Sequence, residues 1–374
     1  MKSLLRKILP TGVVNSLSHA RQRFRKPFIN SPCGKLDPQE QKPVLVMAVG
    51  PTFDQRTPNA MMMCRMGYCH AFESLGIPYV IADVNEVDRL AKDLHLPFIM
   101  YFANDLLSMS SRKVKELKKY PSAVWVPPWF ENSDKFFAQY GLDPNIWTLP
   151  DPTVRKILQL EPAFCFTATT LGGLSYFVKW EQNGIPVRSY PLACDTTLYN
   201  ENSANQIDFK NVRLAFVGGY WQSKGMQIDE YLRPFEEHLD VYGYSKWPYS
   251  GYKGLLSIEA EPSLYRQARV CPVINEPTVA LLKGQINERV FKVLGSGGCP
   301  VVDAVPAYRE LYSEDELLLS ESPEHFSELV NMLLDNPDMN NEYRKKGNAA
   351  TLSRHTYIHR AQSFLQDLGI SLPA

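Results

Sequence analysis

The feature that most constrains this chain is an alternation, met twice, of short apolar runs with segments of helical period. The first series of runs is "PVLVMAVG" (43–50), "PYVIADV" (78–84), "PFIMYFAND" (97–105), "SAVWVPP" (122–128) and "AFCFTAT" (163–169). Each has strand length and is rich in β-branched or aromatic residues, as expected of a buried strand. Between them "AMMMCRMGYCHAFESLG" and "SRKVKELKKY" carry a helical period. Strands that alternate with helices pair in parallel through crossover connections, so the first half predicts a doubly wound α/β sheet.

A second series follows: "VRLAFVGGY" (212–220), a helix over 226–238, "LDVYGYSKW" (239–247), "RVCPVIN" (269–275), a helix near 286–295 and "CPVVDA" (299–304). Helices near 323–335 and 338–350 come next, and "RHTYIHRAQSFLQDLG" (354–369) reads as a closing helix. The stretch "PLACDTTLYNENSANQIDFKN" (191–211) is polar, clusters Asn and Asp and has no period, which marks a linker. A chain of 374 residues is also too long for one ordinary core. The expected organisation is a basic segment and linker over 1–40, a first domain over 41–198, a linker over 199–211, a second domain over 212–353 and a terminal helix over 354–374. Two Rossmann-like parallel sheets in tandem leave a cleft between the carboxyl ends of their strands, where open α/β sheets bind ligands.

Charge excludes one class of partner. With 40 basic and 40 acidic residues the net charge is zero, so the chain lacks the basic excess of a nucleic-acid binder. Residues 1–27 are a local exception: Lys2, Arg6, Lys7, Arg21, Arg23, Arg25 and Lys26 occur without an acid, and Leu4, Leu5, Ile8 and Leu9 form a short apolar stripe. This composition suits peripheral contact with an anionic membrane, or simply a basic tail. No apolar run reaches the roughly 18 residues needed to span a bilayer. The seven cysteines are scattered without metal-ligand spacing and read as core residues of a cytoplasmic protein.

Two stretches carry candidate chemistry. In "FVGGYWQSKGM" (216–226), Gly218 and Gly219 follow a strand directly and Lys224 stands at the mouth of the next helix. Such a turn brings backbone N–H groups and an ammonium to a diphosphate, or serves only backbone geometry with a solvated Lys beside it. In "NERVFKVLGSGGCPVVDAVPA" (287–307), Asn287, Glu288, Arg289 and Phe291 open a helix, and Gly295, Gly297 and Gly298 make a turn into a buried strand. Arg289 suits bidentate contact with phosphate oxygens, and the small residues admit a base or ribose. The competing reading has Glu288 and Arg289 capping the helix and the glycines making a tight turn.

Four stretches in order, "AFVGGYW", "VYGYSKW", "NERVFKVLGSGGCPVVDAVPAYRELY" and "HTYIHR", make residues 212–366 resemble the C-terminal domain of family-1-like glycosyltransferases of the spore-maturation (CgeB-like) type, within the GT-B class. "YPLACDTTLY" is similar to the segment that precedes the second domain in this class. The resemblance implies a GT-B fold of two facing Rossmann-like domains, a nucleotide-sugar donor held by the second and an acceptor held by the first. It also implies a terminal helix that can cross back to the first domain, with His355 orienting or capping it.

The departure from the family lies at Lys292. Many members carry there a Glu that accepts hydrogen bonds from the donor ribose, and Lys cannot accept one. Gly284 stands where a companion Glu eight residues earlier would be. Three outcomes are open: Glu288, one turn earlier on the same face, takes the ribose; Lys292 helps hold the phosphates; or the site is degenerate.

For sugar transfer, Arg289 and Lys224 are the expected catalytic cations, aimed at the departing diphosphate. Gly218, Gly219, Glu288, Lys292, Gly297 and Gly298 are the expected donor-binding residues. No D-x-D triad occurs, so no metal and no separate cofactor is expected. On the acceptor side the loop "GPTFDQRTPN" (50–59) offers Asp54 and Arg56, with Asp54 the candidate base. The function expected is glycosyl transfer to a glycan or lipid-linked acceptor in bacterial surface polysaccharide or lipopolysaccharide biosynthesis. A non-catalytic GT-B binding or assembly module and a sugar-nucleotide epimerase are the alternatives.

Overall fold

The computed structural model describes residues 42–50, 53, 59–201 and 207–372; the basic segment 1–27, Asp54, Arg56 and Cys33 lie outside them. The first domain runs β1 (Val44–Val49), α1 (Ala60–Ser74), β2 (Tyr79–Asp83), α2 (Val87–Lys92), β3 (Pro97–Phe102), α3 (Ser111–Leu117), β4 (Ser122–Trp125), α4 (Ser133–Gln139), α5 (Pro144–Trp147), α6 (Asp151–Leu160), β5 (Phe164–Thr167), α7 (Val178–Gln182) and β6 (Val187–Ser189). Its strands form one parallel sheet in the order β2-β1-β3-β4-β5-β6. Alternate residues of β1 enter different layers. Leu45, Met47 and Val49 pack on one face with Cys64, Tyr68 and Phe72 of α1. Val46 and Ala48 pack on the other face with Ile99, Val124 and Trp180. Burial on both faces is why the run is apolar throughout rather than at every second position.

The second domain runs β7 (Leu214–Val217), α8 (Gln222–Leu232), β8 (Leu239–Tyr242), β9 (Tyr252–Gly254), α9 (Glu261–Gln267), β10 (Cys271–Val273), α10 (Pro277–Leu281), α11 (Glu288–Gly295), β11 (Pro300–Val302), β12 (Leu318–Leu319), α12 (Pro323–Asp335) and α13 (Pro337–Arg354). Two three-stranded parallel sheets, β7-β8-β9 and β10-β11-β12, meet edge to edge. A bridge between Leu214 and Val270, with Ala215 N donating to Val270 O at 3.2 Å, makes them continuous in the order β9-β8-β7-β10-β11-β12.

The helix expected over 226–238 instead begins at Gln222 and ends at Leu232, continuing as a 3₁₀ turn over Arg233–His238. Pro234 has no N–H to extend the α-helical ladder. The strands β6, β9 and β12 and the helices α2, α4, α5, α6, α7, α9 and α10 were not anticipated. All three strands are edge strands of two or three residues, too short to carry a periodic signal.

The chain crosses between the domains twice. The first crossing follows β6. The second leads into α14 (Tyr357–Leu368), which packs on α1 of the first domain, with the Tyr357 and Tyr68 ring centroids 5.2 Å apart. A Cβ on Gly67 would strike the Tyr357 ring, so glycine is what lets the two helices approach. The crossings are hydrogen-bonded to each other: Cys194 N donates to His355 O at 2.8 Å and Tyr357 N to Cys194 O at 3.0 Å. His70 Nδ1 lies 2.7 Å from Asp195 Oδ2, which ties the first crossing to α1. The cap of α14 is Thr356, paired with His359, rather than His355. His355 places Nε2 2.9 Å from Leu311 O, and burial lowers its pKa to about 4. Cys64, Cys69, Cys165, Cys194, Cys271 and Cys299 are buried and unbridged. Among the described residues no helix is long and apolar enough to cross a membrane.

Candidate active site

A cavity of about 430 Å³ opens between the domains. The first domain contributes Asn59, Ala60, Met63, Trp147 and Leu192, and the second contributes the loops after β7, β8, β9 and β10 together with residues of α9 and the start of α11. These loops leave the carboxyl ends of parallel strands, where functional side chains of α/β sheets collect.

The loop after β7 is shaped around Arg289. Gly218 is pinned at both polar atoms, its N donating to Tyr242 O at 2.9 Å and its O accepting from Trp247 Nε1 at 2.8 Å. A Cβ there would lie 2.8 Å from Arg289 Nη2, and one on Gly219 would strike the Tyr244 ring. The two glycines thus make room for side chains that line the same cleft. Asn287 caps α11 by accepting from Arg289 N at 2.9 Å, which sets where the Arg side chain starts. Its guanidinium then donates to Val217 O at 2.7 Å and to Ile274 O at 3.4 Å, and stands 4.6 Å from the Phe216 ring centroid. Among the described residues no carboxylate pairs with it. Arg289 therefore brings into the cleft a positive charge that forms no ion pair with a described carboxylate, the buried Asp303 acting on it only from beyond pairing distance.

Lys224 sits in the first turn of α8, 2% exposed, with Nζ 2.6 Å from Glu276 Oε1 and 4.2 Å from the Trp221 ring centroid. Burial and, after it, the nearby Arg289 charge lower its pKa to about 8, against the opposing pull of Glu276. The second carboxylate oxygen of Glu276 is buried without a hydrogen-bond partner. Such an oxygen is open to a hydroxyl or N–H donor brought by a ligand.

Lys292 is the centre of an ionic cluster. Its Nζ lies 3.3 Å from Glu288 Oε2 and 4.0 Å from Glu261 Oε2. Burial works against the ammonium, yet Glu288 and then Glu261 outweigh it and hold its pKa above the ordinary value. Burial raises the Glu288 pKa, with Lys292 opposing. Tyr199 Oη donates to Glu261 Oε2 at 2.7 Å, and Tyr357 Oη to Glu288 Oε1 at 3.4 Å. Both carboxylates border the cavity. The acceptor function that Lys292 cannot supply is thus present on either side of it.

Of the residues expected to handle the donor, Gly218, Gly219, Lys224, Glu288, Arg289 and Lys292 converge on this cavity. Gly297 and Gly298 do not line it. They shape the turn from α11 into the amino end of β11, whereas the cleft lies at carboxyl ends. Gly297 takes a positive φ of 76°, and a Cβ on Gly298 would lie 2.8 Å from Tyr265 O, so their smallness serves backbone geometry and packing. Sequence reasoning missed Glu276, Glu261, Trp221 and Tyr244. Glu276 directly follows the run "RVCPVIN", so its place at a strand end was a signal available to read.

A second cavity of about 310 Å³ adjoins the first and shares Ala60, Trp147, Leu192, Gln285 and Ile286 with it. It lies at the carboxyl ends of β3, β4 and β5 of the first domain. Next to it Arg65 of α1 pairs with Asp105 and stands 4.1 Å from the Phe102 ring centroid.

Two facing parallel-sheet domains, joined by a double crossing and closing on a cleft at their strand ends, define the GT-B class of glycosyltransferase fold. Residues 212–366, less than half of the chain, match the family described as glycosyl transferase-like. Solved structures share the architecture. One is described as trehalose-6-phosphate from E. coli bound with UDP-2-fluoro glucose, with a TM-score of 0.56 at 12% identity, covering 88% of this chain and 100% of that one. Another is the α,α-trehalose-phosphate synthase (UDP-forming) of Burkholderia xenovorans in complex with glucose-6-phosphate, with a TM-score of 0.58 at 12% identity, covering 87% and 100%. The sucrose-phosphate synthase of Thermosynechococcus elongatus gives 0.57 at 10% identity, covering 87% and 98%. At these identities the likeness establishes the fold. No curated protein matches the sequence.

Proposed function

We propose that this protein is a glycosyltransferase moving a sugar from a nucleotide-sugar donor, held by the second domain, to a glycan or lipid-linked acceptor presented by the first. The observation that carries this reading is the Arg289 guanidinium, fixed by two strand-end carbonyls and not ion-paired with any described carboxylate, within the same cavity as Lys224. In transfer, the bond from the sugar C1 to the diphosphate oxygen breaks and a bond from C1 to an acceptor oxygen forms. The acceptor hydroxyl loses its proton, and negative charge grows on the diphosphate. Arg289 and Lys224 stabilise that charge. Glu288 and Glu261 accept from the ribose hydroxyls in place of the family's Glu. Asp54 is our sequence-based choice for the base that takes the acceptor proton.

The finer assignments belong to the same proposal: a hexosyl donor, metal-independent transfer that survives a chelator, work at the inner face of a bacterial membrane approached through residues 1–27, and a place in surface polysaccharide assembly. Lys292 was the feature that most favoured a non-catalytic module. Its charge is taken up by two carboxylates and it leaves Arg289 unpaired, which supports a working donor site.

The test is thermal unfolding of the full chain against UDP, GDP, ADP, CMP and dTDP, because a ligand of the folded state raises its apparent stability. A selective rise with one nucleotide, abolished in Arg289→Ala, is expected. No rise with any of them defeats the donor site.

A further inference from the structure

We infer that the cavity of the first domain binds an uncharged sugar ring, so that the acceptor reacts through a neutral pyranose rather than through a sugar phosphate or an alkyl chain. As a statement about the acceptor this rests on the glycosyl-transfer reading above. As a statement about what the cavity binds it stands on the cavity's own walls.

Two indole rings border this space, Trp125 at the end of β4 and Trp147 at the end of α5. Each is backed by a nearly parallel phenylalanine. Trp125 stacks on Phe102 with centroids 5.6 Å apart at 23°, and Trp147 on Phe137 at 5.8 Å and 22°. Phe137 is wholly buried and Phe102 1% exposed, so both supports belong to the core. An indole clamped on one side by a core ring loses little freedom when a ligand covers its remaining surface, which is the condition for a pre-organised stacking platform.

The polar groups around these platforms are neutral amides and hydroxyls: Asn104, Thr148, Thr167 and Gln285. A pyranose presents a face of C–H groups and a rim of hydroxyls, each of them donor and acceptor. The face suits an indole, and the rim suits amides and hydroxyls that both give and accept hydrogen bonds. An alkyl chain would leave the Asn104, Thr167 and Gln285 side chains without partners, at a cost for each one desolvated, whereas the Thr148 hydroxyl already donates to Pro144 O at 2.6 Å. A phosphate would call for a cation, and the described residues lining this cavity include neither Lys nor Arg. Arg65, beside this cavity, does not line it and is paired with Asp105; Arg289, Lys224 and Lys292 lie in the neighbouring cavity. Because the two cavities share Trp147 and Gln285, a ring seated in one places a hydroxyl at the border of the other.

The experiment is calorimetric titration of the full chain with the methyl α- and β-pyranosides of glucose, galactose, mannose and rhamnose, and with glucose 6-phosphate, each with and without UDP or whichever nucleotide stabilises the protein. At least one methyl glycoside is expected to bind, and glucose 6-phosphate more weakly than methyl glucoside. Trp125→Ala and Trp147→Ala should each weaken the bound glycoside about tenfold or more, while Trp125→Phe and Trp147→Phe keep most of the affinity. Retention of the nucleotide-induced stabilisation, or of the wild-type circular dichroism spectrum, shows that a variant has folded. Absence of binding by every glycoside, tighter binding of glucose 6-phosphate, or glycoside affinity unchanged in both Ala variants overturns the assignment. Glycoside binding without any nucleotide binding upholds the cavity and defeats the transfer reading, whereas nucleotide binding without glycoside binding does the reverse.

Discussion

The two halves of the cleft use opposite chemistry. On the second-domain side Arg289, Lys224 and Lys292 face Glu276, Glu288 and Glu261, and every one of these side chains borders the cavity. On the first-domain side the walls are Trp125, Trp147 and prolines, with neutral amides and hydroxyls between them. One half concentrates buried charge; the other presents aromatic rings and neutral polar groups. Under the proposed transfer reading, the contrast assigns donor selection to electrostatics and acceptor selection to shape and a hydrogen-bonding rim.

Four changes probe that contrast, beyond the tryptophan test given with the acceptor. The largest effect is expected from Arg289→Ala, which removes the cation not ion-paired with any described carboxylate. Transfer should fall by about 10²–10³-fold, the cost of losing one charge-stabilising donor at a reacting centre, while glycoside binding in the tryptophan cavity is preserved. Equal loss at both sites would erase the division of labour.

Next comes Lys292→Met, which leaves Glu288 and Glu261 facing each other without their ammonium. Chemical denaturation should report a loss of about 3 kcal/mol, near the low end for breaking a buried pair, since Lys292 keeps some access to the cleft. Lys292→Glu, which restores the residue the wider family carries, should be worse still, because it sets three carboxylates together. A stable Lys292→Glu variant would show that the cluster is not what holds this corner.

The third is a pH profile. In the free protein the Lys224 pKa is lowered to about 8, so its ammonium is present below that pH and is lost as pH rises through it. Affinity for a nucleoside diphosphate should then fall above about pH 8, by no more than about tenfold per pH unit for one linked proton. Glycoside affinity should stay flat over the same range. Lys224→Arg removes the fall at the donor side if this ammonium is its source.

The smallest effect belongs to a contact that joins the halves. Glu310 accepts from Thr170 Oγ1 at 2.7 Å and from Gly172 N at 3.1 Å across the domain boundary. Glu310 is exposed, and Glu310→Ala should cost about 0.5–1 kcal/mol in thermal unfolding without changing affinity in either cavity taken alone.

Much of this fold is written locally. Runs such as "VLVMAV" and "LAFV" are apolar throughout because both faces of the strand are covered, and that pattern survives without knowledge of the partners. Arg289 and Lys224 were legible for a similar reason: each lies in the first turn of a helix on the path out of a strand, directly for Lys224 and after the short helix α10 for Arg289, and the fold class places such positions at the cleft. The edge strands β6, β9 and β12 were not legible, since two or three residues hold no period. Gly297 and Gly298 misled because small residues at a turn look alike whether the turn faces the cleft or the opposite end of the sheet.

Lys292 is instructive in another way. Read along the chain it is a lost hydrogen-bond acceptor. In space it is the counter-ion of Glu261, a residue 31 positions earlier on α9, held there by Tyr199 from the linker. Nothing in the local sequence joins those three. Trp125 and Trp147 likewise meet only because a strand end and a short helix converge, so the acceptor wall had no linear signature.

The doubled crossing has a mechanical consequence. Cys194 and Thr356 are bridged side by side, one on the way out of the first domain and one on the way back. A body attached by a single tether can tumble about it in any direction, but one attached at two bonded points swings about the line through them and resists twisting out of that plane. An opening of this cleft would therefore follow one arc, and it would have to break the Glu310 bonds to Thr170 and Gly172 that span the boundary. A closure along that arc would return Gln285 to the same place beside Trp147, as a page returns to the same facing page when it turns on a stitched spine.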